Sequence, residues 1–210
     1  MTFGDSNTFG TPPMTSPDLL ERFGIGVRWP TVTHATLGSD WHLVEEGLPG
    51  RTATTTPHPT RGAAMDGHMG LRIALASHGP IDVLTIMLGT NDVQHCYGLT
   101  ADCVIARVAG LLAITQHPDM GKRHPNMDIL LICPQPTRDI GIFTSTMMGA
   151  AEKSKAFSPL YQNLAGHWNI GFLDAGEIIK SCSEDGVHFD AEAHQTLGLA
   201  VAETIQGLGE

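Results

Sequence analysis

Three residues near opposite ends of the chain have the chemistry of an acyl-transfer site. Ser6 follows Gly4-Asp5, and His188 stands far downstream with Asp185 three positions before it. Cleaving an ester needs a nucleophile, a base to deprotonate it, a group to orient the base, and donors for the oxyanion. Ser6 offers the hydroxyl and His188 the base, while Asp185 lies within one turn of chain of the His188 Nδ1–H. Asn91 offers a side-chain NH₂, and the backbone amides of Ser6 and Gly50 add two more donors. A glycine at 50 suits this use, because an amide with no Cβ beside it can approach a substrate closely.

Each piece is common by itself. Asp92-Val93-Gln94-His95 repeats the Asp-x-x-His spacing in a chain with 11 histidines. Gly89-Thr90-Asn91-Asp92 also reads as a turn capped by its own Asn or Asp, and a serine after Gly-Asp reads as a turn or helix cap. Asp5 and Asp92 are expected to bond backbone in their own turns, and Arg51 to anchor a loop.

The weight comes from where the elements place the pieces. Short apolar runs recur at Thr2-Phe3, His42-Leu43-Val44, Ile81 to Leu88, Met127 to Cys133 and Ile170 to Leu173. The third and fourth are nearly continuous, as in parallel strands buried on both faces. Helices are expected at about Trp29 to Leu37, Met65 to Ser77, Thr100 to Gln116, Gly149 to His167 and Asp190 to Ile205, the last N-capped by Asp190. Strict alternation predicts a single α/β domain over residues 1–210 with helices on both faces of a parallel sheet. Five strands of this spacing suit a three-layer flavodoxin-like fold of order 2-1-3-4-5, whose sites lie at the C-terminal strand ends near the switch between strands 1 and 3. Ser6 follows strand 1, Gly50 strand 2 and Asn91 strand 3, while Asp185 and His188 precede the last helix, so all should meet on that edge.

Composition narrows the partners. A chain of 210 residues can bury roughly 70% of its unfolded surface and needs no structural metal or disulfide. Its formal charge of −10, with no Lys/Arg cluster, argues against a nucleic-acid partner. No apolar run approaches the ~20 residues that span a bilayer, so no membrane partner is expected. Cys96, Cys103, Cys133 and Cys182 form no Cys-x-x-Cys pair, and no leader pattern opens the chain, which points to reduced thiols in the cytoplasm. Gly121-Lys122 lacks the glycine and the Ser/Thr of a phosphate loop, and no His-x-x-x-His pair exists. His188 and His194 straddle a helix start and are not read as metal ligands, so neither metal nor other cofactor is expected.

The set Gly4-Asp5-Ser6, Gly50, Gly89-Thr90-Asn91-Asp92 and Asp185-Gly186-Val187-His188 resembles the four sequence blocks of the SGNH (GDSL-type) hydrolases, and the likeness spans essentially the whole chain. Within that family, Glu45 to Thr52 and Ile86 to Asp92 are most similar to the bacterial arylesterase/acyltransferase branch. The resemblance implies a Ser/His/Asp acyl-enzyme mechanism without metal, and a homo-oligomer. It also implies Ser6 as nucleophile, Asp185 and His188 as its partners, and Ser6 N–H, Gly50 N–H and the Asn91 side chain as oxyanion donors.

Departures from the family pattern bear on the substrate. Asn7 replaces the leucine of the GDSL type, which predicts a more polar wall, and Phe9 and Thr11 stand where the acyltransferase branch carries tryptophan. Strand 1 has only three residues before Gly4, shorter than usual, which leaves room for an upstream start. Ile140, Ile142, Phe143, Met147 and Met148 follow strand 4; Phe143 and Met147 are expected either to pack over the helices or to form an acyl-binding wall or a subunit contact. The expected function is a serine esterase for short-acyl or aryl esters, with possible acyltransfer to alcohols. The alternatives are a carbohydrate acetylesterase, a thioesterase or lysophospholipase, and a non-catalytic flavodoxin-like binding module.

Overall fold

The structure is a computed structural model that describes residues 1–16, 18, 21–54, 62–179 and 184–208. Five strands, β1 (Thr2–Gly4), β2 (Glu45–Gly47), β3 (Val83–Met87), β4 (Asp128–Cys133) and β5 (Gly171–Asp174), form one sheet of order β2-β1-β3-β4-β5. Every neighbouring pair is parallel, as the alternation of elements predicts. The helices are α1 (Ser6–Phe9), α2 (Trp29–Leu37), α3 (Gly67–Ser77), α4 (Ala101–Thr115), α5 (Pro118–Arg123), α6 (Ala150–Lys155), α7 (Phe157–Trp168), α8 (Ala175–Ile178) and α9 (Ala191–Gln206). None among the described residues is long and apolar enough to cross a membrane.

Side chains alternate across the sheet, and each set has its own helical cover. Leu84 and Ile86 join one core with Leu71, Val108, Leu111 and Tyr161 of α3, α4 and α7. Val83 and Met87 join the other with Trp29 of α2 and Leu197 and Val201 of α9. The strand register places Phe3, Ile86, Leu131 and Phe172 in one row under the first cover. Burying each such side chain stabilises the fold by roughly 1.5–3 kcal/mol, so this row fixes which strand ends lie side by side.

Three differences from the sequence expectation have local causes. β2 forms at Glu45–Gly47 and not at His42 to Val44. Trp41, Leu43 and Val44 line a cavity of about 450 Å³ at the N-terminal end of the sheet. The edge strand instead carries two acids, and Arg28 grips Glu45 with both Nε (2.6 Å) and Nη2 (2.7 Å). Charge on an edge strand also discourages further pairing. The helix expected over Gly149 to His167 is two, α6 and α7, joined at Ala156. Pro159 in the first turn of α7 has no N–H to donate backward, which ends the earlier helix. Finally, α1, α5 and α8 have four to six residues each, too few to show a helical period, and are held by caps from Asp5, His117 and Asp174.

Candidate active site

Ser6 opens α1 immediately after β1. Asp5 caps that helix, its Oδ1 accepting the Asn7 N–H at 2.9 Å. The close seat of α1 on the sheet explains two glycines: a Cβ on Gly4 would strike the Thr8 side chain, and one on Gly47 would strike the Phe9 backbone. Ser6 is thereby held at the C-terminal end of the sheet, and its Oγ lies 3.1 Å from His188 Nε2. The other imidazole nitrogen, Nδ1, lies 2.8 Å from Asp185 Oδ2. Ser6, Asp185 and His188 are thus brought together in the order that sequence spacing predicts, and all three are buried.

The Asp185 carboxylate is saturated with donors. Oδ1 accepts the N–H groups of Val187 and His188, both at 2.9 Å. Oδ2 accepts the Met14 N–H at 2.7 Å in addition to His188 Nδ1. Burial by itself raises a carboxyl pKa, but His188 and these backbone donors outweigh it and hold Asp185 down at about 2. An ionised Asp185 keeps the His188 proton on Nδ1, which leaves Nε2 free to accept the Ser6 proton.

The donor side of the site is stitched together through carbonyls. Leu48-Pro49-Gly50-Arg51 closes a turn, Arg51 N to Leu48 O at 3.0 Å, with Gly50 at φ +87°. Proline followed by a left-handed residue is the type II pattern, so glycine at 50 is demanded by the backbone as well as by close approach. The turn docks on β1 through Leu48 N to Gly4 O (3.1 Å) and Arg51 Nη1 to Gly4 O (3.0 Å). Asn91 Nδ2 donates to Arg51 O at 3.1 Å, and Gln94 Nε2 donates to Asn91 Oδ1 at 3.0 Å. No carbonyl among the described residues accepts the N–H of Ser6 or Gly50, and one N–H of Asn91 is likewise left over.

Two buried acids support this frame. Burial raises the Asp5 pKa to about 6, against the Asn7 N–H bond and the nearby His188 and Arg51 charges. Burial raises Asp92 to about 7, against its bonds to Ala53 N–H and the charge of Arg107. Asp92 therefore bonds a distant backbone N–H, at 2.9 Å from its Oδ2, and not its own turn. Arg51 meets its expectation as an anchor: it stacks under Phe3 at 4.2 Å and reaches the Gly4 and Glu46 carbonyls. Its own pKa falls to about 10 through burial, against the attraction of Glu46 and Asp5.

The remaining sequence candidates fall in several places. Asn7 is not a polar wall facing substrate; it is buried, and its side chain clamps the loop that carries His188. Its Nδ2 donates to Val187 O (3.1 Å) and its Oδ1 accepts Phe189 N–H (3.2 Å), one bond on each side of His188. Phe9 is half-buried with its ring 4.4 Å beneath the Arg22 guanidinium. Phe143 stands against the His188 ring, edge to face at 5.6 Å. Met147 is buried in the core at 3% exposure and so is no subunit contact, while its neighbour Met148 is exposed at 53%. The competing pair does not assemble: Asp92 turns to Ala53 while His95 is exposed. His194 is buried between Phe23 and Phe189, takes the Trp29 N–H at 3.2 Å, and is pushed down to about 4 by burial. Among the described residues no three His, Cys, Asp or Glu side chains are grouped to hold a metal ion. Cys182 lies outside the described residues.

Two contacts escaped the sequence reading. Met14 acts on Asp185 through a backbone N–H, for which side-chain identity carries no signal. Gln94 stood only as a spacer inside Asp-x-x-His, yet its amide meets Asn91.

A parallel sheet of this order, with Ser, His and Asp in hydrogen-bond series at its C-terminal edge, defines an α/β serine-hydrolase architecture. Residues 2–196 match the model of the GDSL-like lipase/acylhydrolase family, and the chain belongs to that family. Membership makes it an ester-hydrolysing enzyme. Among solved structures, a carbohydrate acetylesterase from Sinorhizobium meliloti is 33% identical, covering 99% of this chain and 97% of its own, with a TM-score of 0.93. The aryl esterase of M. smegmatis is 32% identical over 99% of this chain and 97% of its own, with a TM-score of 0.91. A search of curated protein sequences found no match.

Proposed function

We propose that the protein is a serine esterase for short-acyl or aryl esters, working through an acyl-enzyme on Ser6. The observation that carries this reading is the unbroken series from Ser6 Oγ to His188 Nε2 (3.1 Å) and from His188 Nδ1 to Asp185 Oδ2 (2.8 Å). Ser6 Oγ attacks the ester carbonyl while His188 Nε2 takes its proton, and Asp185 stabilises the imidazolium. Charge developing on the carbonyl oxygen is met by the Ser6 and Gly50 N–H groups and the uncommitted N–H of Asn91. Collapse expels the alcohol or phenol, which receives its proton from His188. Water, or a competing alcohol, then repeats the sequence on the acyl-enzyme.

Acetylated sugars are the second reading, favoured by the 33% identical acetylesterase. Exposed, unpaired Cys96 and Cys103 support a reducing cytoplasm, and exposed Ile142 and Met148 near the site support a homo-oligomer. The test is hydrolysis of p-nitrophenyl esters from acetyl to octanoyl beside acetate release from acetylated sugars, wild type against Ser6→Ala. Activity that falls with acyl length and vanishes in Ser6→Ala is the expected result. Equal rates for the two proteins on every substrate refute it.

A further inference from the structure

We propose that Gln94 is a positioning residue of the oxyanion hole, fixing which face of the Asn91 amide looks into the site. The inference rests on Asn91 being an oxyanion donor. A backbone carbonyl only accepts, so the Asn91 atom 3.1 Å from Arg51 O must be Nδ2. The Asn91 oxygen then points the other way, toward Gln94, and the Gln94 atom 3.0 Å from it must be Nε2. Asn91 thus spends one N–H on Arg51 and its oxygen on Gln94, and keeps a second N–H for the substrate.

The orientation matters because the amide has two faces of opposite sign. An N–H aimed at the developing oxyanion stabilises it, whereas the carbonyl lone pairs would repel it. Gln94 occupies those lone pairs. It is itself held by its backbone, with Gln94 N donating to Asn91 O (3.3 Å) and Tyr97 N donating to Gln94 O (3.1 Å). The next residue ties this turn to the segment that carries Phe143, through His95 N to Thr146 O at 2.9 Å. The geometry is therefore prepared before substrate arrives, which is what gives an oxyanion donor its effect.

The test is a set of steady-state kinetics on p-nitrophenyl acetate for Gln94→Ala, Gln94→Glu, Asn91→Ala, the double variant Gln94→Ala/Asn91→Ala, and Ser6→Ala, with thermal melts alongside. Gln94→Ala should lower kcat about 3- to 10-fold with KM within about twofold, the pattern of an interaction that acts only in the transition state. Gln94→Glu should lose more, roughly 10- to 100-fold, because an ionised carboxylate cannot donate to Asn91 Oδ1 and competes for its N–H. Asn91→Ala should lose about 10²–10³-fold. In that background Gln94→Ala should cost nothing further, because Gln94 acts through Asn91. A packing role would instead cost the same in both backgrounds, lower the melting temperature, and treat Glu no worse than Ala; any of these overturns the proposal. Gln94→Ala at the wild-type kcat also overturns it, while loss in Ser6→Ala and Asn91→Ala leaves the esterase reading standing. An Asn91→Ala variant as fast as wild type removes Asn91 from the hole, and Gln94 with it.

Discussion

Asp185→Asn changes one atom in a carboxylate that accepts four hydrogen bonds. Two come to Oδ1 from the Val187 and His188 N–H groups, and two to Oδ2 from Met14 N–H and His188 Nδ1. Wherever the amide NH₂ is placed, it confronts two donors. Backbone donors cannot change, but the imidazole can move its proton to Nε2 and accept from the amide at Nδ1. The NH₂ should therefore settle at the Oδ2 position, trapping His188 in the tautomer that cannot take the Ser6 proton. A trap of this kind costs on the order of 10⁴ in kcat, with KM little affected. The Met14 N–H loses its acceptor, about 1–3 kcal/mol, which in a domain of this size lowers Tm by roughly 2–12 °C. Turnover of p-nitrophenyl acetate reads the first effect, calorimetry the second, and ¹⁵N NMR of His188 identifies the tautomer. An Asp185→Asn enzyme that keeps more than about a tenth of wild-type kcat, or whose proton stays on Nδ1, refutes the reasoning.

Asn7→Leu keeps the side-chain volume but strips the buried Val187 carbonyl and Phe189 N–H of their partners. At about 1–3 kcal/mol each, Tm should drop by at least ~4 °C and kcat roughly 10-fold as His188 loosens; an unchanged melt shows that the clamp carries no load. Between about pH 8 and about 5 the buried groups pull in opposite directions. Asp92 (about 7) and Asp5 (about 6) take up protons in the fold that an unfolded aspartate at 3.8 does not, which favours the fold as pH falls. The Met1 amino group (about 6) and His194 (about 4) stay neutral in the fold while their unfolded counterparts protonate, which opposes it. Below about 4 the unfolded chain also protonates Asp185 before the fold does, so stability falls there. Asp92→Asn removes one of the groups that favour the fold, so in melts wild type should gain stability relative to this variant as pH falls from about 8 to about 5; a difference between the two that does not change with pH refutes the assignment to Asp92. His188→Ala should abolish esterase activity while His95→Ala leaves it intact; the reverse would move the base to the loop after β3.

The series Ser6, His188 and Asp185 was legible because each member is a distinctive residue type at a fixed offset from an element boundary. The apolar runs at Ile81 to Leu88 and Met127 to Cys133 identified β3 and β4, since a strand buried on both faces leaves an unbroken hydrophobic stretch. β2 lies beyond the apolar run His42 to Val44 for the same reason turned around: an edge strand needs no such stretch, and its acids are offset by Arg28 and Arg51. Asn7 departs from its expected place because residue type shows polarity but not the direction a side chain faces.

Local sequence by itself determined the alternating elements and the parallel topology, and it singled out Ser6, Asp185, His188 and Asn91 as candidates, because period, composition and short-range spacing are properties of the chain. The tertiary structure decided which polar groups meet. Asn7 reaches across 180 residues to Val187, Met14 across 171 to Asp185, and Asp92 across 39 to Ala53. Met14 acts through an N–H that every residue but proline carries, so the chain could not single it out. Buried groups must find partners wherever folding brings them, and only the folded chain says where that is.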